Sequence, residues 1–177
     1  KDTSGTLIIT KNYKTTRYFG KLFKDKSIKK IYIAICRGKP NKNSGNINLN
    51  INKQGNYKKN KEESKGSITK FELLDHKNNY SLLAFMPITG RTHQIRIVSK
   101  YLGCPIIGDK KYNDSYLLKK QSKLKYKNRL MLHSILIGFL YNKKFVTYQA
   151  DLPEDMNKFL DENKINYPNI NNLKKIF

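Results

Sequence analysis

The stretch "PITGRTHQIRIVSKYLGCPIIGD", Pro87 to Asp109, places Arg91, His93, Gln94 and Arg96 within six residues. It lies between an apolar run with strand character and one with helical character. Thr89 and Gly90 make a tight turn at its mouth. The apolar spacing of Ile95, Val98 and Leu102 predicts a helix from Thr92 to Leu102, ended by Gly103 and Pro105. His93 and Arg96 lie three residues apart and so share a face, while the apolar set packs another. Arg96 is thereby planted at the start of a rigid helix. Its planar fork suits a phosphate, a carboxylate partner or stacking on a base. The plainer alternative is that Arg91 and Arg96 are surface charges on a solvated helix.

Outward from this stretch, short strands and amphipathic helices alternate. "GTLIIT" (5–10) is β-rich, and "KTTRYFGKLFKDKS" (14–27) sets Phe19, Leu22 and Phe23 at helical spacing with lysines opposite. "KKIYIAICRG" (29–38) alternates, with Ile31, Ile33 and Ile35 on one face and Tyr32, Ala34 and Cys36 on the other. Residues 39–66 form a Lys/Asn-rich polar insert, expected as a loop or extended hairpin around one alternating patch, "NINLNI". "SITKFELLD" and "YSLLAFMPI" predict a hairpin through "HKNN". "RLMLHSILIGFLY" and "KFVTYQA" predict another through Asn142 and Lys143, and "LPEDMNKFLDEN" a last helix opened by Pro153. The expected class is α+β: a mainly antiparallel mixed β-sheet with flanking helices, in one domain spanning 1–177.

Lys and Arg number 36 against 13 Asp and Glu, a formal charge of +23 in 177 residues. AT-rich coding explains part of this, since Lys, Asn and Ile are all abundant. A charge of this size also attracts a polyanion whatever its origin, because clustered cations release counterions from a phosphate backbone. Cys36 and Cys104 have no partner at metal-ligand spacing and make no disulfide framework, so they are expected as buried thiols in a reducing compartment. No apolar run reaches membrane-spanning length, and the amino terminus carries no signal-like segment. A soluble cytoplasmic monomer is expected.

The run "PITGRTHQIRI...YLGCPIIGDKKY" resembles the signature of the RluA-type pseudouridine synthases, enzymes that isomerise uridine in RNA. "KDTSGTLIITKN" is similar to the tail of that family's catalytic motif: Arg-Leu-Asp, two variable residues, then Thr-Ser-Gly. "KKIYIAICRG" resembles its tyrosine-bearing strand, "RLMLHS" its Leu-His segment and "YQADLPEDM" its ending. The matches recur in the family's order over nearly the whole chain.

The resemblance implies a pseudouridine-synthase catalytic domain that uses no cofactor and no metal. It makes Tyr32 the active-site tyrosine, where the residues alone suggest a core tyrosine. It makes Arg96 the arginine that pairs with the catalytic aspartate and fills the gap left by the extruded nucleotide. Thr3, Ser4 and Gly5 become the turn behind that aspartate, and Arg91, Thr92, His93 and Gln94 become RNA-facing or turn-bracing residues. His133 is expected to satisfy a buried hydrogen bond and Asp109 to anchor a loop. The nucleophilic aspartate would lie three residues ahead of Thr3, one position before Lys1, so Asp2 falls at a variable position and the chain is expected to be inactive. Departures from the family pattern are Val98, Cys104 and Phe71, at sites expected to be packing positions.

The implied partner is RNA, with large-subunit ribosomal RNA favoured and transfer RNA the second choice, and no membrane. Two rivals stand beside the enzyme. One is a non-catalytic RNA-binding module, which the charge and the absent carboxylate favour. The other is a metal-independent nuclease using His93 and His133 as an acid–base pair.

Overall fold

The computed structural model describes residues 2–52, 64–113, 129–169 and 173. In chain order the elements are β1 (Ser4–Gly5), α1 (Tyr13–Lys24), β2 (Lys29–Arg37), β3 (Ser44–Asn52), β4 (Ser64–Lys77), β5 (Tyr80–Pro87), α2 (Gln94–Tyr101), β6 (Leu132–Tyr141), β7 (Lys144–Gln149) and α3 (Glu154–Glu162). The strands form one seven-stranded sheet in the order β1-β6-β2-β5-β4-β3, with β7 also paired to β6. β1 runs parallel to β6 and every other pair is antiparallel. This is the expected α+β class with a mainly antiparallel mixed sheet.

Local chemistry sets the two tight hairpins. Asn78 and Asn79 join β4 to β5 with φ of 52° and 62°, and Asn142 and Lys143 join β6 to β7 with 47° and 62°. Two successive left-handed residues make a turn whose twist matches that of the flanking strands, and Asn tolerates this backbone well. β2 lies at the centre between β5 and β6. Both its faces are covered, so Ile33, Ala34, Ile35 and Cys36 are wholly buried. Ile33 and Ile35 each contribute about 1.5–3 kcal/mol of burial free energy. A smaller core of Ile28, Ile137 and Phe139 seats α1 through Phe19 and Leu22.

Three expectations need correction. The run "GTLIIT" joins the sheet only through Gly5 and the Thr6 backbone N–H; beyond Thr6 no strand forms, and Leu7 and Ile9 are about four-fifths exposed. For the insert the extended-hairpin alternative holds over Ser44–Asn52, which pairs along its whole length with β4. Alternation decides this, since Ile47, Leu49 and Ile51 pack into the main core. The helix expected from Thr92 begins at Gln94, because His93 adopts a left-handed backbone (φ 55°) and so stands outside it. Phe23 is not covered; it is half-exposed, with the Lys30 ammonium above its ring.

Cys36 and Cys104 are buried, and burial pushes both thiols up, Cys104 to about 11. Val98, Cys104 and Phe71 are core residues. Among the described residues no helix is long and apolar enough to cross a membrane.

Candidate functional site

The turn ahead of α2 is held by one amide. Gln94 Oε1 accepts from Thr89 Oγ1 (2.8 Å) and from the Arg91 backbone N–H (2.9 Å). Its Nε2 donates to the Ile68 carbonyl (3.0 Å) and to Thr69 Oγ1 (2.9 Å). Two acceptances and two donations use the whole capacity of a primary amide. Gln94 is also buried, so it braces the loop against β4 and has nothing left for RNA. A glutamine three residues into a Thr-Gly-Arg turn was legible as a brace; its anchor on β4 was not.

Arg96 is fixed just as firmly. Nε and Nη2 make a bidentate pair with Asp109 at 2.7 and 2.6 Å, and the guanidinium lies 5.0 Å from the centre of the Tyr112 ring. Asp109 also accepts the backbone N–H groups of Lys111 and Tyr112. It therefore anchors its loop, as expected, and is in addition the carboxylate that Arg96 holds within this chain. Burial alone would raise the Asp109 carboxyl; the hydrogen bonds from Arg96, Tyr112 and Lys111 outweigh it and hold the group below its ordinary range. The hydrogen bond that Arg96 donates to Asp109 likewise raises Arg96. His93 Nδ1 meets Tyr112 Oη at 3.0 Å. Burial, then the charges of Arg96 and Lys111, lower His93 below its ordinary value.

Opposite this wall, Lys30 and Tyr32 project from the same face of β2. Tyr32 is raised by burial, with a hydrogen bond from Ser134 pulling the other way. Lys30 is lowered by burial. The amino-terminal turn closes the third side. Gly5 has φ of +108°, and a Cβ there would stand 2.2 Å from the Ser134 carbonyl oxygen, so only glycine fits. Arg129 Nη2 donates to Ser4 Oγ (2.8 Å), which leaves the Ser4 proton for His133 Nδ1 at 2.8 Å. His133 Nε2 then donates to the Ala150 carbonyl. The imidazole is thus neutral and fully partnered, and burial, the largest influence on it, lowers it further. Arg129 also pairs with Asp155, which ties this relay to α3.

Between the three walls lies a cavity of about 280 Å³. Of the residues singled out from the sequence, Tyr32, Arg96, Thr3, Arg91, His93 and Gln94 line it. Ser4, Gly5 and Thr92 do not. Asp2, Lys30, Thr89 and Leu132 also line it and were not foreseen. For Lys30 the signal was present: it stands two residues from Tyr32 on an alternating strand and must share its face. His133 and His93 lie in separate hydrogen-bond systems, the first in the Ser4 relay and the second on Tyr112. His93 lines the cavity and His133 does not, so the two do not face it together as an acid–base pair.

Comparison with known proteins identifies the family. Residues 1–101 match the family profile described as RNA pseudouridylate synthase. The ribosomal large subunit pseudouridine synthase C of Rickettsia bellii is 39% identical over 165 residues, 89% of this chain and 53% of that protein. The ribosomal large subunit pseudouridine synthase D of Borreliella burgdorferi is 42% identical over 155 residues, 83% of this chain and 46% of that protein. The chain thus spans about half the length of these two relatives. An uncharacterized RNA pseudouridine synthase of Zymomonas mobilis is 37% identical, covering 87% of this chain and 70% of its own length. Among solved structures, human RNA pseudouridylate synthase domain containing 4 superposes with a TM-score of 0.75 at 22% identity, over 89% of this chain and 70% of that one. The profile match covers over half of the chain and begins in the segment carrying Thr3, Ser4 and Gly5, so sequence and fold agree: the chain belongs to the RNA pseudouridylate synthase family, of the RluA type.

Proposed function

We propose that the cavity receives a uracil extruded from RNA and that the chain carries the base pocket of a catalytic domain converting uridine to pseudouridine. The observation that carries this is the meeting of Tyr32, Arg96 and the Asp2–Thr3 segment around one cavity of base-accommodating size. Isomerisation breaks the N1–C1′ bond, turns the base and rejoins it through C5; the proton lost from C5 is balanced by one gained at N1. No electrons are transferred, so acid–base and nucleophilic groups suffice. Extruding the nucleotide costs a few kcal/mol, which contacts to the bound strand must offset.

Each residue has a part in this scheme. The Tyr32 ring stacks on the uracil; burial favours its neutral phenol, so its oxygen takes the C5 proton as it gives up its own in the same step. Arg96, held rigid by Asp109, keeps its remaining N–H donors for the carboxylate and the RNA. The nucleophile is the aspartate that the family pattern sets three residues ahead of Thr3. The relatives' names favour large-subunit ribosomal RNA as the substrate.

The test is tritium release from RNA labelled at C5 of uridine. The chain as it stands is expected to give none, and the chain preceded by Arg-Leu-Asp is expected to turn over, while Arg-Leu-Asn restores nothing. Turnover by the unextended chain would transfer the nucleophile to Asp2. Uridine-dependent RNA binding without release from the extended chain would favour the non-catalytic binding module instead.

A further inference from the structure

A second cavity, of about 540 Å³, opens beside the first. Asp2, His93, Arg96 and Leu130 line both, so these residues form a shared wall. What lies beyond the wall differs in kind. The first cavity continues onto Tyr32, Pro87, Ile95 and Leu132, on which a planar base can pack, with Lys30, Arg91 and the Thr89 turn at its polar side. The second continues onto Gly108, Lys110 and Lys111.

The charge balance of the second cavity does not come from Arg96. That guanidinium is matched by Asp109 in a bidentate pair and held against Tyr112, so its charge is largely answered inside the protein. His93 is held towards its neutral form by burial and by Arg96 and Lys111. Among the described lining residues, two exposed lysines, Lys110 and Lys111, stand beside one further acid, Asp2. Lysine ammonium groups bind phosphate as point charges, without the geometric demand of an arginine fork.

Their position is set by the chain itself. Gly108 has φ of +75°, and a Cβ there would stand 1.8 Å from the Arg129 carbonyl oxygen. Asp109 then pins the Lys111 and Tyr112 amides. The loop carrying both lysines is therefore fixed at its start by close backbone packing and a buried carboxylate.

We infer that this second cavity is a phosphate subsite: a nucleotide straddles the Arg96 wall, its uracil on the Tyr32 side and a flanking phosphodiester of the RNA strand on Lys110 and Lys111. The inference rests on the first cavity taking uracil. It assigns to Lys110 and Lys111 the backbone grip that offsets the cost of extruding the base.

The experiment measures binding of this chain to a short labelled adenosine oligoribonucleotide with one central uridine, across a salt series, beside the same oligonucleotide abasic at that position. Removing both lysines (Lys110→Gln with Lys111→Gln) should weaken binding on the order of tenfold at low salt and flatten the salt dependence by roughly 0.7 per lysine. The preference for uridine over the abasic site should survive. Tyr32→Ala should do the converse, erasing that preference while leaving the salt slope intact. Lys14→Gln with Lys21→Gln, which removes the same charge from the exposed face of α1, should cost less than about twofold. Equal losses from the two lysine pairs, or an unchanged salt slope in the first, would overturn the phosphate subsite while leaving the uracil pocket standing. A wild-type chain with no preference for uridine would instead remove the pocket reading, and the subsite with it.

Discussion

The two sides of the cavity are built to different standards. On one side the loop from Thr89 to Tyr112 is tied to the sheet by buried polar groups: Gln94 spends its whole amide on it, and Asp109 holds Arg96 together with two backbone amides. On the other side, the segment from Asp2 to Thr10 rests on a two-residue parallel strand, the bonds of Thr6 to Ser134, and one relay through Ser4, His133 and Arg129. Leu7 and Ile9 face solvent, and of its aliphatic side chains only the partly buried Ile8 packs on the small core of Ile28, Ile137 and Phe139. The first side is part of the cooperative core. The second can come away locally while the rest stays folded, because its opening exposes little buried apolar surface.

Asp109 gives the largest expected effect. Asp109→Ala leaves the Arg96 charge and two backbone amides without their partner in a region where the carboxylate is 1% exposed and the arginine side chain 13%. The expected cost is about 3–5 kcal/mol, read as a fall in the urea midpoint. The pH dependence has a definite sign. The folded carboxyl is held below its ordinary value, so its contribution is complete above about pH 4 and is lost as pH falls through the folded value. A variant as stable as the parent would mean that the braced side is not part of the cooperative unit.

Much of this contrast was legible beforehand, and the exceptions have physical causes. Alternation in "KKIYIAICRG" and the Asn-containing turns fixed the central strands and both hairpins, because period-two patterning and left-handed Asn are local properties. Arg96, His93 and Tyr32 line one cavity, although His93 stands outside the helix on which a shared face was expected. The partner of Arg96 in this chain was missed because a contact across thirteen residues depends on where Gly108 lets the loop turn. The strand at Ser44–Asn52 was half-seen, since asparagines disguised an alternation carried by three residues. The run after Gly5 misled in the opposite direction. "TLIIT" has strand composition, but composition supplies no hydrogen-bonding partner, and none of the described strands pairs beyond Gly5.

A smaller loss is expected at Gly5. Alanine there must occupy a left-handed backbone that costs about 1–3 kcal/mol and place its Cβ against the Ser134 carbonyl. The segment escapes by detaching, which caps the global cost at what it contributes. Gly5→Ala should therefore lower the midpoint less than Asp109→Ala, yet speed exchange of the Thr6 amide and abolish the uridine preference. A large global loss with slow Thr6 exchange would show that the two sides melt together.

His133 should give a smaller effect again, in a different pH window. Its ring is lowered by burial and by Arg129, against the Ala150 hydrogen bond and the charges of Asp151 and Asp155. A depressed imidazole favours the neutral form, so stability is complete above about pH 6.5 and falls as pH drops below it. Protonation also turns Nδ1 from the acceptor of the Ser4 proton into a donor, which breaks the relay. In a His93→Gln background, which removes the other depressed imidazole, the midpoint should decline between pH 7 and 5. Adding Ser4→Ala should shrink that decline, and a flat profile would take His133 out of the relay.

The smallest expected change tests the comparison at its weakest point. Ile9 is 79% exposed, and Leu7 beside it is 80% exposed. Substitutions at positions this open alter stability within about 0.5 kcal/mol, so Ile9→Ser should leave the urea midpoint of this chain unmoved. Leu49→Ala, on the strand that sequence composition half concealed, should cost about 2–5 kcal/mol by contrast, since that side chain is 4% exposed in the main core. The pair of measurements sets the scale between a side chain that packs and one that merely has strand composition. A cost above about 1 kcal/mol at Ile9 would mean that this apolar side chain is covered in solution. The amino-terminal side would then belong with the braced side, and the difference in cooperativity between the two would disappear.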